Sequence, residues 1–330
     1  MSLSKASTLK LAALIISFVV IVVGVIVYLQ YSIWHPSTDD AYVNANVVQI
    51  TPQVSGEIKA LAVENLQAVK KGQLLFEIDP AQYQDSVNQA QAQWQLQQAQ
   101  VLADEEAVRV AQAQLTQSQA NRFVAQQKAD RTLALVKQGL ASPEEGDEVQ
   151  GTLNVDNAAV KASEEQILQS QQDLEVQKMQ VKSAYAALMQ AQLNVQWTKV
   201  YSPVDGYVDN LSLRPGMVVQ AQQSQFAIVD NSQWWVDANY KEGDMQHIKT
   251  GQTATIHIDM YPGHPFTGTV AFLSSGSGST FSLLPPENAT GNWVKITQRF
   301  PVKILIPNSE IGANFPLRVG ASATVRINAQ

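Results

Sequence analysis

The 330-residue sequence contains no cysteine. That absence excludes disulfides, thiol catalysis, Cys-based zinc sites and a lipid-modified N-terminal Cys. Charge is scarce, at 15% of residues, and 22 basic against 29 acidic side chains leave a net charge of −7. Phosphate neutralisation needs clustered Lys and Arg, so a nucleic-acid partner is not expected. Aromatic residues make up only 7%. Between Ala81 and Lys137 there is neither proline nor glycine, the two residues that most weaken a helix. No paired catalytic carboxylates or Ser-His-Asp order stand out. The Ser274–Thr280 stretch (SSGSGST) is flexible by composition, but no GK[ST] follows to make it a phosphate loop. The chain therefore does not read as an enzyme.

What is present begins with Leu11–Leu29, 19 consecutive residues without a charge. At ~1.5 Å per residue such a helix is roughly 28 Å long, the thickness of a bilayer's hydrocarbon core. A cleaved signal peptide would have a shorter apolar core followed by small residues. Here Tyr28, Tyr31 and Trp34 follow instead, an aromatic flank suited to a membrane interface. Lys5 and Lys10 precede the segment and Asp39 and Asp40 follow it. The positive-inside rule then puts residues 1–10 in the cytoplasm, the helix at 11–30 and the remainder outside.

A split repeat lies beyond the anchor. Residues 52–79 (PQVSGEIKALAVENLQAVKKGQLLFEID) and 203–230 (PVDGYVDNLSLRPGMVVQAQQSQFAIVD) align without a gap when Gly56 is set on Gly206. Ile58 then matches Val208, Leu61 Leu211, Val63 Leu213, Val69 Val219, Phe76 Phe226 and Ile78 Ile228. Alternating apolar positions between turn residues predict short strands. Each half carries half of an apolar face, so residues 51–80 and 199–231 should combine into one β-sandwich.

The intervening 81–198 segment has helical composition. Val87, Trp94, Val101, Val108 and Leu115 recur every seven residues, and Leu153, Val160, Ile167, Leu174, Val181, Leu188 and Val195 hold the same period. Small residues (Ser163, Ser170, Ala184, Ala191) stand three positions after the large ones. That combination makes a narrow two-helix seam. The pattern breaks at Arg122, which reads as a local stutter. Gly139 supplies a helix stop, and Ser142-Pro143-Glu144-Glu145 reads as an N-cap, a first-turn proline and early acids. With a tip at about 138–143 the helices must run antiparallel; two separate dimerising coiled coils are the competing picture. Gly146 and Gly151 should let the second helix fray at its start.

Beyond Asp230 the texture is β again. Candidate strands are Trp234–Tyr240, Thr253–Tyr261, Phe266–Leu273, Trp293–Thr297, Pro301–Ile306 and Leu317–Ile327. With Asp40–Ile50, in a 31–50 linker and first barrel strand, they suggest a small β-barrel over 232–330. The expected fold is α+β and elongated: a transmembrane helix, a split lipoyl-like β-sandwich interrupted by an antiparallel helical hairpin, and a β-barrel.

This organisation resembles the membrane fusion (periplasmic adaptor) proteins of bacterial export systems, in their hemolysin-D-like branch. TDDAYVNANVVQITPQVSGEI at Thr38–Ile58, WWVDANYKE at Trp234–Glu242 and GSGSTFSLLPPENATGNWVKITQRFPVKI at Gly276–Ile304 resemble the multidrug export protein A type of that branch. The resemblance implies an inner-membrane, single-pass protein with its bulk in the periplasm. It implies three partners: an inner-membrane transporter of major-facilitator type, an outer-membrane channel, and further copies of the chain as trimer or hexamer. It also implies that Arg131, Leu135 and Ser142, around the turn at Gly139, dock onto the channel. An adaptor for an ATP-driven type I protein secretion system is the alternative. The sequence ends at Gln330 soon after the last barrel segment, which points away from adaptors carrying a large membrane-proximal domain.

Two other chemistries are weighed. Lipoyl carriers present a modified Lys on the turn between their halves, but here the first half ends Ile78-Asp79-Pro80 without one. No cofactor is therefore expected. His247, His257 and His264, with Asp244 and Asp259, match no metal-ligand spacing. Asn210-Leu-Ser212 and Asn288-Ala-Thr290 fit the glycosylation pattern only by letter.

Overall fold

The computed structural model describes residues 5–278, 280, 297–312 and 315–329. Helix α1 (Lys5–Trp34) leads directly into strand β1 (Ser37–Ile50). Strands β2 (Gly56–Leu61), β3 (Ala68–Val69) and β4 (Leu74–Ile78) precede helices α2 (Ala81–Lys137) and α3 (Pro143–Trp197). Then come β5 (Lys199–Tyr201), β6 (Gly206–Asp209), β7 (Val218–Val219) and β8 (Phe226–Lys241). Last are β9 (Thr253–Ile258), β10 (Pro265–Leu273), β11 (Arg299–Ile306) and β12 (Ser322–Ile327).

The split repeat folds as one two-fold sandwich. All twelve residues of the six matched pairs lie in, or pack against, a single core. Pairing obeys the same symmetry: β2 pairs with β4 and β7, while β6 pairs with β8 and β3. Gly56 faces Val219, and its counterpart Gly206 faces Val69. Each half thus lends its shortest strand to the other, so neither half has a closed core alone. The glycines are required by close approach. A Cβ on Gly206 would sit 2.1 Å from the Val229 carbonyl oxygen, and one on Gly56 would sit 2.6 Å from Ile78 Cγ2.

The barrel is a closed antiparallel ring in the order β1-β12-β9-β10-β11-β8, with β8 returning to β1. Its interior is apolar, built on Val236, Tyr240, Ile256, Phe266, Ile304 and Val325. Tyr240 is the largest fully buried side chain among the described residues, and its hydroxyl donates to the Val325 carbonyl at 3.1 Å. Burial first, and then the Asp244 carboxylate, raise its pKa far above the ordinary phenol range. Strand β8 starts well before the expected Trp234, and both β1 and β8 serve two domains. Val47–Ile50 pair with Phe226–Val229 in the sandwich, and Ala41–Ala45 pair with Trp234–Ala238 in the barrel, with Asn46 opposite a bulge formed by residues 230–233 of β8. The domain boundaries expected near 50 and 231 therefore cut through a continuous two-stranded ribbon.

Two strand expectations need correction. The segment expected as a strand from Leu317 forms one only from Ser322, because Val319 and Gly320 make a turn, with Gly320 at a positive φ of 83°. The segment Thr253–Tyr261 stops at Ile258, where the chain turns through Met260 and Tyr261. The candidate strand Trp293–Thr297 and the sequon at Asn288 lie outside the described residues, apart from Thr297.

Candidate functional site: the helical hairpin and its tip

Helices α2 and α3 leave and re-enter the sandwich side by side. Ile78 N–H donates to the Thr198 carbonyl at 2.8 Å, and β4 pairs with β5 just below them. Tyr83 Oη donates to the Ser55 carbonyl at 2.6 Å, and Tyr83 and Trp197 both pack on the sandwich core. The hairpin base is thereby fixed. At ~1.5 Å per residue, the 57 residues of α2 reach roughly 85 Å from it.

Packing between the rods is a single heptad seam. Val87 meets Leu188 and Ala191 near the base, Leu115 meets Val160 and Ile167 midway, and Ala125 and Ala129 meet Val149 and Leu153 near the tip. These contacts correct the reading of Arg122. There is no stutter: Ala111, Leu115, Ser118, Ala125 and Ala129 are all buried in one unbroken seven-residue register. Arg122 occupies a seam position with its side chain exposed, and alanine replaces large residues beyond it. The Gly146 expectation also changes. Gly146 is buried, with Val136 and Leu133 side chains 3.4 and 3.5 Å from where its Cβ would be, so it lets the helices close up beside the tip. The start of α3 is further held by a full capping box: Glu145 N–H donates to Ser142 Oγ at 3.2 Å, and Ser142 N–H donates to Glu145 Oε2 at 3.0 Å.

Sequence reasoning missed two polar layers in this seam. Ser118 and Ser163 hydroxyls meet at 3.0 Å, and Gln177 Nε2 donates to Gln97 Oε1 at 2.6 Å. The signal was available, since Ser118 and Gln177 each stand three residues after an apolar seam position. Such layers fix the register of one helix on the other, because a shift would bury an unpaired amide or hydroxyl. Other glutamines point outward and bond Asp or Asn four residues on, as in Gln100–Asp104, Gln126–Asp130, Gln169–Asp173 and Gln190–Asn194.

The four tip residues are close in the chain but differ in what they do. Gly139 takes the left-handed turn at φ 74°, with Leu140 N–H donating to the Leu135 carbonyl at 3.0 Å. Ser142 is exposed and serves as the cap of α3. Arg131 is exposed, its Nε donating to the Gln127 carbonyl at 3.2 Å, and no carboxylate pairs with it among the described residues. Leu135 is 44% exposed, and Leu140, which the sequence reading did not single out, is 71% exposed. The two solvent-facing leucines leave apolar surface in water at the rod's end unless a partner covers them.

Among the described residues, no three of His, Asp and Glu come together as a metal site. His257 points out of β9, His264 stacks on Phe315 at 4.0 Å, and His247 lies against Trp34.

The family model for the barrel-sandwich hybrid domain of RND membrane fusion proteins matches residues 46–231. The chain belongs to the membrane fusion protein, or periplasmic adaptor, family. It is 37% identical over 299 residues to the fatty acid resistance protein FarA of Neisseria gonorrhoeae, covering 88% of this chain and 75% of that one. It is 33% identical over 295 residues to the multidrug export protein EmrA of Haemophilus influenzae, with the same coverage of each. Among solved structures, MacA of Actinobacillus actinomycetemcomitans matches with a TM-score of 0.58 at 23% identity, over 88% of this chain and 78% of that chain. That likeness speaks for the membrane fusion protein fold alone.

Proposed function

We propose that the chain is the non-catalytic periplasmic adaptor of a tripartite export system for multidrug or toxic compounds. In this reading α1 crosses the inner membrane with its N-terminus in the cytoplasm. The barrel and α1 hold an inner-membrane transporter of major-facilitator type, and the tip meets an outer-membrane channel. The observation that carries it is the exposed Arg131–Leu135–Leu140 cluster at the far end of a register-locked rod. Transport energy comes from the partner transporter. The names of the relatives, a multidrug export protein and a fatty acid resistance protein, support export as the process served.

Self-association into a trimer or hexamer has its own support. Leu102, Val110, Phe123, Val124, Val155 and Val176 are exposed along the flanks of the rods, between uncharged glutamines that permit close lateral packing.

The test is an export assay in cells. Arg131→Asp and Leu135→Asp should each abolish resistance to exported compounds, while expression, melting temperature and co-purification with the transporter stay unchanged. Unaltered resistance in either variant removes the docking role from the tip. Co-purification with an ATP-driven transporter would select the type I secretion alternative.

A further inference from the structure

A polar cleft lies where α1 joins the barrel. Only His35 and Pro36 separate the end of α1 from β1. The junction is pinned: Ala329 N–H donates to the Trp34 carbonyl at 3.0 Å, and Ile327 N–H donates to the Pro36 carbonyl at 3.0 Å. The Trp34 ring meets the His247 ring at 5.6 Å between centroids. With so short a connection the barrel cannot stand away from the bilayer. The apolar span Ile16–Trp34 therefore brings this face of the barrel to the headgroup layer.

The cleft there has a volume of about 700 Å³, and its lining includes Trp34, His247, Lys249, Thr250, Gln252 and Asn328. No acid is among the described residues that line it, in a chain carrying 29 acidic residues. Lys249 is exposed, and its ammonium group makes no hydrogen bond or ion pair among the described residues. The loop that presents it is braced. Lys249 N–H donates to Gln252 Oε1 at 2.8 Å, Gln252 Nε2 donates to the His247 carbonyl at 3.1 Å, and Gly251 N–H donates to the Val270 carbonyl at 2.8 Å.

We propose that this cleft seats the phosphate of a membrane phospholipid, with Lys249 as its counter-charge, hydroxyl and amide groups as donors, and Trp34 against the glycerol end. A cation held by a rigid loop beside an interfacial tryptophan meets both the charged and the apolar part of such a headgroup. The proposal rests on α1 being seated in the membrane. It goes beyond anchoring, because the barrel itself would read the lipid and take a fixed orientation on the surface.

The test uses the full chain in detergent, titrated with phosphatidylglycerol and followed by native mass spectrometry. One bound lipid per chain is expected, with affinity falling roughly tenfold in Lys249→Glu. Lys59→Glu, an equal charge change on the exposed face of the sandwich, should leave affinity unchanged. Equal weakening by both variants, or no weakening by Lys249→Glu, overturns the proposal, as does displacement of the lipid by excess inorganic phosphate, which would assign the cleft to a free anion. Alkaline carbonate extraction of cell membranes separates the two levels. If wild type and variant both leave the membrane, the anchoring reading fails. If both stay and bind lipid alike, only the lipid site fails. Matched melting temperatures exclude misfolding of the variant.

Discussion

The β-domains and the hairpin bury their apolar residues in different ways. In the sandwich and barrel, side chains from many strands converge, and Phe76, Phe226, Ile228, Ile256 and Ile304 lose nearly all contact with water. In the hairpin each layer has two walls only, and Ile167 and Leu115 retain 9% exposure. A convergent core gives stability and a unique closure, whereas a two-walled seam gives reach. The hairpin offsets its thin core with register devices: the Ser118–Ser163 and Gln97–Gln177 layers and the Ser142 capping box. Its stability is local, and that of the β-domains is collective.

The comparison can be broken most forcefully at Gly206. The Cβ of Gly206→Ala would collide with backbone, not with a flexible side chain. A loss of about 4 kcal/mol is expected, read as collapse of the main thermal transition or as insoluble expression. A matched pair sharpens the contrast. Ile228→Ala, in the fully buried sandwich core, should cost about 4 kcal/mol and lower the global transition. Ile167→Ala, in the hairpin seam, should cost about 2 kcal/mol, at the low end for such a change. Hydrogen exchange should place that smaller loss in α2 and α3 and leave the β-domains protected. Exchange spreading into the barrel would contradict the separation. The smallest expected effect concerns Tyr240. Its folded-state pKa is raised, so the stability it contributes is fully present below the unfolded phenol's pKa of about 10 and declines as pH rises above it. Tyr240→Phe should cost about 1 kcal/mol at neutral pH, through the lost bond to Val325. It should also flatten the fall in stability between about pH 10 and 12, as measured by denaturant titration.

Much of this architecture was legible because periodicity survives folding intact. A gapless offset set Phe76 against Phe226 and Ile78 against Ile228, and these residues do share one core. The seven-residue spacing of α3 names its buried face, from Leu153 through Val160 and Ile167 to Leu188. What escaped was decided by tertiary context. Arg122 looked like a break because a charged residue stands on the seam, yet its length lets the head reach water while the backbone keeps register. Gly146 looked like a weakness, and only the nearness of Val136 reveals it as a point of approach. Strand β8 was read as starting only at Trp234 because a bulge at residues 230–233 interrupts the alternation. At the tip, sequence located the turn at Gly139, while the exposure of Leu140 depends on how the turn points it. The cleft at Lys249 joins residues more than 200 positions apart in the chain, and no local pattern announces it.

The central claim is that one sandwich has been opened to admit a spacer, and the most direct measurement removes that spacer. Residues 80–197 can be replaced by a short Asn-Gly turn, because β4 and β5 are already antiparallel neighbours. The account predicts a shortened chain that keeps the cooperative melting of the β-domains and stays in the membrane, yet confers no export. Loss of the sandwich fold, or export retained without the rods, would contradict it.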